Sequence, residues 1–171
     1  MILDVCFGSG GFYHKRHLRL RENFVSIDIR KGDFTYKTPK AWSPTRVIIK
    51  PLILADMQFL PFKNATFNLI VFDPPHTDAG LDTFLGKSYG SWNQKERIRT
   101  CRKANLEFQR VLKPHGIIIL KVLPRQFPIY ETLLKNFAFF LPIYTYRLRG
   151  SYTQDKGKNL GAVWFLGQLK E

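Results

Sequence analysis

The chain has 171 residues, 44% of them hydrophobic, and its 27 Lys and Arg against 13 Asp and Glu give a formal net charge of +14. That length and apolar content suit one compact domain spanning 1–171 with its own core, and no repeat, low-complexity tract or linker divides it. Cys6 and Cys101 form neither a CxxC pair nor any metal-ligand spacing, so no metal site is expected, and reduced thiols point to a cytoplasmic protein. No stretch approaches the roughly 20 apolar residues that span a bilayer, so no membrane is expected among its partners. The positive excess suits a polyanion instead, and nucleic acid, DNA or RNA, is the expected partner.

In chain order, Ile2–Val5 reads as a short strand that runs into the glycine turn Cys6-Phe7-Gly8-Ser9-Gly10-Gly11, and a helix follows from about Phe12. Glycines there allow φ > 0 and close approach of a ligand, and the first helical N–H groups can face it. The basic run His14-Lys15-Arg16-His17-Leu18-Arg19-Leu20-Arg21 falls on that helix. Phe24–Ile29 reads as a second buried strand carrying Asp28. A carboxylate about 20 residues past a glycine turn stands where Rossmann-like sites hold ribose hydroxyls. A third strand-and-acid step is Leu52-Ile53-Leu54-Ala55-Asp56-Met57.

The connection Gln58–Phe67 leads into the apolar run Asn68–Phe72, which ends on Asp73-Pro74-Pro75-His76. Two prolines remove two N–H donors and fix φ twice, which makes a stiff corner. The Asp73 carboxylate and the Pro74 carbonyl can both accept hydrogen bonds from one amino group, and the flat ring of His76 can stack on whatever carries it. Thr77–Gln94 is too long and polar for an ordinary connection and reads as a lid or binding loop, in which Tyr89 and Trp92 suit base stacking and Lys87 a phosphate. A second basic run, Lys95–Lys103, lies on the helix before the fifth strand, Ile117–Val122. Helical spacing over 127–136 and two β-prone runs, Phe139–Tyr146 and Gly161–Gly167, joined by the polar loop Arg149–Asn159, complete the chain. The aromatic density of 137–146 exceeds what one sheet face requires and suits an oligomer interface.

The glycine turn, the acids at Asp28 and Asp56, the Asp73-Pro74-Pro75-His76 corner and Val111-Leu112-Lys113-Pro114-His115-Gly116 occur in an order that resembles class I S-adenosylmethionine-dependent methyltransferases, over roughly residues 2–123. Asp-Pro-Pro followed by a flat side chain resembles, within them, the small phage- and prokaryote-type enzymes that modify exocyclic amino groups of nucleic-acid bases. The resemblance implies an α/β Rossmann-like fold: a seven-stranded, mostly parallel sheet in the order 3-2-1-4-5-7-6, helices on both faces and an antiparallel edge hairpin. It implies an N-methyltransferase with S-adenosyl-L-methionine as cofactor, held by Asp4, Phe7, Gly8, Ser9, Gly10, Asp28, Asp56, Met57 and Asp73. Asp73, Pro74, Pro75 and His76 would be catalytic, Lys87, Tyr89 and Trp92 would bind substrate, and adenine N6 is the favoured acceptor. Two other readings stay open: a small molecule or protein amide as acceptor, or a non-catalytic subunit of a larger methyltransferase. The family's glycine turn carries Phe where this chain has Cys6, and Tyr, Phe or Trp is commoner than His at the fourth corner position. Only Met1 precedes the first strand, so the cofactor pocket is expected to be open on that side or covered by a second subunit, a copy of the chain or a partner.

Overall fold

The computed structural model describes residues 1–9, 23–36, 45–75, 78, 80–122, 140–147 and 163–170. Gly10, the helix expected from Phe12 with its basic run, His76, the helix expected over 127–136 and the loop 149–159 lie outside the described residues.

Nine strands and two helices are described: β1 (Ile2–Asp4), β2 (Phe24–Asp28), β3 (Gly32–Tyr36), β4 (Thr45–Ile49), β5 (Ile53–Leu54), β6 (Phe67–Phe72), α1 (Phe84–Tyr89), α2 (Gln94–Val111), β7 (Leu112–Val122), β8 (Phe140–Arg147) and β9 (Val163–Leu169). Seven strands form one sheet in the order β5-β2-β1-β6-β7-β9-β8. The pairs β5·β2, β2·β1, β1·β6 and β6·β7 are parallel, while β7·β9 and β9·β8 are antiparallel. β8 is the edge strand, the position where the missing N–H of Pro142 costs least.

Three features depart from the sequence reading: the β3–β4 pair, α1 within the expected lid loop, and β7, which begins at Leu112 rather than at Ile117. β3 and β4 form a separate antiparallel hairpin between β2 and β5, with Phe34 opposite Val47 and an Arg46–Asp33 ion pair. Val47 and Ile49 are buried while Thr45, Arg46 and Ile48 are exposed, an alternation that marks a strand with one covered face. The expected lid loop contains α1, capped by Thr83, whose Oγ1 accepts a hydrogen bond from Gly86 N at 3.0 Å. Gly86 permits a contact that any side chain would block, since a Cβ there would lie 2.3 Å from Gly80 O.

The core lies between the sheet and α2. Along α2 the buried positions Arg97, Thr100, Cys101, Ala104, Asn105, Phe108 and Val111 fall on one helical stripe, polar toward the N-terminus and apolar toward the C-terminus. Asn93 and Glu96 close a capping box at its start. Phe108 meets Phe72 of β6 edge to face, with ring centroids 5.2 Å apart. Within the second basic run, Lys95, Arg99, Arg102 and Lys103 are exposed, but Arg97 is turned inward at 7% exposure.

Arg110 fixes the approach to β6. Its guanidinium donates to Glu107 and Asn64 Oδ1 and to the carbonyls of Phe62 and Leu60, while Glu107 Oε2 accepts from Leu60 N at 2.7 Å. The Arg110 hydrogen bond holds the Glu107 carboxyl below the usual range, with the Leu60 amide acting in the same direction against desolvation. A depressed carboxyl stabilises the fold above its unfolded pKa of about 4.3 and loses that contribution as pH falls through the lower folded value. Glu107→Gln is therefore expected to cost about 1 kcal/mol at pH 7, given partial solvent screening. Urea unfolding should show that gap to wild type closing at about pH 3 and below; a pH-independent gap would contradict the ion-pair account.

Candidate active site

Parallel pairing puts the carboxyl ends of β5, β2, β1, β6 and β7 on one edge, and one cavity opens there. Val5, Cys6, Asp28, Arg30, Ala55, Asp56, Met57, Gln58 and Pro75 line it from the strand ends; Leu81, Tyr89, Gly90, Ser91 and Trp92 line it from the α1 segment, and Thr100 from α2. Its volume is about 190 Å³.

Each acid is held by the turn that follows its strand. Asp4 Oδ1 accepts from Cys6 N at 2.9 Å, which bends the chain into the glycine turn. Gly8, at φ +54, donates its N–H to Asp28 Oδ2 at 2.9 Å across to the next strand end. Asp28 Oδ1 also accepts from Arg30 N, and the Arg30 guanidinium pairs with both carboxylate oxygens. Asp56 accepts from Gln58 N at 2.8 Å and from the Gln58 side-chain amide. Asp73, one residue past β6, accepts from Lys121 Nζ of β7 at 2.7 Å. Pro74 is buried and Pro75 half-buried.

The expected cofactor residues Asp28, Asp56 and Met57 thus share one cavity, with Gly8 bonded to Asp28 and Asp4 shaping the turn beside it. Phe7 is half-buried, with its N–H bonded to Ile27 O at 3.1 Å, and Ser9 is exposed. Tyr89 and Trp92, expected to meet substrate, line the same cavity as the acids. Lys87 contributes its carbonyl, which accepts from Arg30 Nη1 at 3.1 Å and ties α1 to the Asp28 corner. Gly90, at φ +80, packs against Pro75 and the Arg30 guanidinium. The cavity is walled in part by Leu81, Tyr89, Gly90, Ser91 and Trp92 of the chain's own α1 segment. Ser88, buried in α1 next to Gly8, has a hydroxyl without a hydrogen-bond partner.

Sequence reasoning missed Arg30, Gln58, Thr100 and Lys121. Arg30 and Gln58 each stand two residues after a strand-end acid, a spacing that lets a side chain fold back on that acid. Nothing local in the sequence pairs Lys121 with Asp73, because that contact exists only through the β6·β7 register.

Desolvation is the main cause that pushes the Cys6 thiol well above the usual cysteine range, followed by the carboxylates of Asp28, Asp4 and Asp73. Burial pushes Cys101 up to about 12. Both thiols therefore stay protonated at neutral pH and are poor nucleophiles. At pH 8, iodoacetamide should alkylate both at least about tenfold more slowly than free cysteine. Peptide mapping that finds Cys6 reacting at the free-thiol rate would contradict the burial and neighbouring carboxylates that raise its pKa.

No protein-family model matches the chain, nor does any curated protein. Among solved structures, the N-methyltransferase NodS from Bradyrhizobium japonicum WM9, in complex with S-adenosyl-L-homocysteine, superposes with a TM-score of 0.59 at 14% identity, over 99% of this chain and 78% of that one. A SAM-dependent methyltransferase from Methanosarcina mazei gives 0.55 at 17% identity, over 99% and 92%. The 1,6-didemethyltoxoflavin-N1-methyltransferase from Burkholderia thailandensis, with its small-molecule ligand and S-adenosylhomocysteine, gives 0.55 at 12% identity, over 99% and 71%. The chain has the Rossmann-like fold of these S-adenosylmethionine-dependent methyltransferases.

Proposed function

We propose that this protein is an S-adenosylmethionine-dependent N-methyltransferase whose acceptor is an exocyclic amino group of a nucleic-acid base, adenine N6 in first place. The observation that carries the reading is the convergence of Cys6, Asp28, Asp56, Met57 and Pro75, from four different strand ends, on one cavity. Asp28 would hold the ribose hydroxyls of S-adenosylmethionine, Asp56 and Met57 its adenine, and the carboxylates near Cys6 would favour its sulfonium cation. Asp4 adds to that negative field, and the main chain of Phe7, Gly8, Ser9 and Gly10 provides the close approach for the amino-acid part. Two details support the fit: the unsatisfied Ser88 hydroxyl over the glycine turn, and the S-adenosylhomocysteine bound by two proteins of this fold. A ribose at Asp28 takes the place of the Arg30 guanidinium, which now reaches across a cavity smaller than the roughly 300–1,000 Å³ of most ligand pockets.

Bound S-adenosylmethionine supplies an electrophilic methyl on sulfur. An exocyclic amine is a poor nucleophile because its lone pair is delocalised into the ring. Hydrogen bonds from its two N–H groups to the Asp73 carboxylate and the Pro74 carbonyl favour a pyramidal nitrogen and stabilise the positive charge that develops on it. With the amine held at Asp73 and Pro74, the bound cofactor would supply the methyl group, and the proton displaced from the amine would pass to water. Much of the protein's part is orientation. A base inside a duplex cannot reach this corner, so the target is flipped out or unpaired, with His76 as stacking partner. The exposed Lys95, Arg99, Arg102 and Lys103 of α2 and the net charge of +14 suit a phosphate backbone.

A second reading, a small-molecule acceptor, draws on the Burkholderia neighbour, which holds a small heterocyclic ligand in the same fold. The test that separates them is incubation with methyl-labelled S-adenosylmethionine and DNA or RNA pools, followed by digestion and mass spectrometry of the nucleosides. Label is expected on a base amino group, and Asp73→Ala should lower transfer by at least about a hundredfold while still binding S-adenosylhomocysteine. Full transfer by Asp73→Ala would refute the role of that carboxylate, and no labelled base in either pool would favour the small-molecule reading.

A further inference from the structure

The ion pair at the acceptor corner has no counterpart in the sequence reading. Asp73 follows β6 by one residue, and the register that sets Phe72 beside Leu120 sets Asp73 beside Lys121. Lys121 in turn stands opposite Trp164 of β9. Neighbours in register project to the same sheet face, so Asp73, Lys121 and Trp164 form a row across three strands. The ammonium lies 2.7 Å from Asp73 Oδ2, in the range of a charge-assisted hydrogen bond, and 5.8 Å from the centre of the Trp164 ring. Both ends of the ion pair are about three-quarters buried, with side chains 26% and 22% exposed, so salt screens the pair less than a surface one.

We propose that Lys121 is a positioning and specificity residue for the acceptor: it fixes the orientation of the Asp73 carboxylate and compensates its charge, so that the site takes a neutral, conjugated amino group and rejects an aliphatic ammonium. This rests on the reading of Asp73 as the group that receives the acceptor amine. An aliphatic amine is protonated at neutral pH and is drawn to an uncompensated carboxylate. Here Lys121 already holds the place of that cation, and a second ammonium within about 4–6 Å meets like-charge repulsion. A base amine or an amide carries no charge, needs hydrogen-bond acceptors in fixed directions, and suffers no such penalty. Trp164 keeps the Lys121 ammonium beside the carboxylate, where a long flexible stem would otherwise let it wander.

Two measurements on S-adenosylhomocysteine-binding protein test the role. Titration of putrescine into the S-adenosylhomocysteine complex is expected to show Lys121→Met binding the diammonium at least tenfold more tightly than wild type, with Lys121→Arg like wild type. The gain should vanish in the double variant Asp73→Asn, Lys121→Met. In transfer to the nucleic-acid pool that wild type labels, Lys121→Met should lose at least tenfold in kcat with KM for S-adenosylmethionine unchanged, and Lys121→Arg should recover part of it. Lys121→Gln replaces Lys121→Met if the latter does not fold. A wild-type kcat, or no gain in putrescine affinity, overturns the role of Lys121. Undiminished transfer by Asp73→Ala would instead overturn the acceptor reading on which it rests.

Discussion

Parallel pairing of β5, β2, β1, β6 and β7 is the constraint from which the site follows. It sends five carboxyl-terminal strand ends to one edge, so that whatever residue follows each strand is delivered to the same place. In this chain four of those ends carry Asp4, Asp28, Asp56 and Asp73, and the fifth carries Lys121 as its penultimate residue. Asp4 forms the end of β1 itself, Asp28 the end of β2, and Asp73 the first residue past β6, so small differences in strand length set how far each acid reaches. β6 is the central strand of the seven-stranded sheet, with β1 and β7 on either side. The Arg110 clamp at its start and the Phe72–Phe108 contact near its end leave the Asp73 corner little freedom to move.

Four carboxylates at neighbouring strand ends, two of which, Asp28 and Asp56, line the cavity, carry an electrostatic cost, and the structure meets it in two ways. Backbone amides of Cys6, Gly8, Arg30 and Gln58 point at three of them, which favours the charged form without adding a formal charge. Arg30 and Lys121 compensate Asp28 and Asp73 directly. The two cations differ in what they touch besides the acid. Arg30 reaches the Lys87 carbonyl and so joins the Asp28 corner to the α1 segment, whereas Lys121 rests near a tryptophan on the antiparallel side of the sheet. The Asp28 and Asp73 strand ends are thereby coupled to different parts of the fold.

The sequence was legible where chemistry and strand periodicity coincide. A short apolar run followed by an acid occurs four times, mostly buried at β1, β2 and β6 but exposed at β5, and all four acids stand at neighbouring strand ends because a parallel sheet leaves them no other arrangement. It was less legible where local signals mislead. Gly80, Gly86 and Gly90 read as a loop, yet Gly86 serves a close helix approach and Gly90 caps a helix through its positive φ. The β3–β4 hairpin hid because β3 carries only Phe34 and Tyr36 between polar residues and the apolar run of β4, Val47-Ile48-Ile49, is only three residues long. β7 begins at Leu112, five residues before the apolar run that announced it, and pairs Leu112 with Phe67 across an irregular stretch of register. The Arg97 inside a basic run faces inward because its place on the α2 stripe outweighs its charge, with Asp78 nearby to offset the loss of water. The Asp73–Lys121 contact could not be read at all without the register of β6 and β7.

The most direct test of the central claim, that these strand ends form one cofactor site, is calorimetric titration of S-adenosylhomocysteine into wild-type protein and Asp28→Ala. The account predicts one site per chain in the wild type and an affinity lower by about tenfold or more in the variant, the scale of one lost charge-assisted hydrogen bond of about 1.5–3 kcal/mol. Absence of binding to the wild type, or equal affinity in Asp28→Ala, would contradict it.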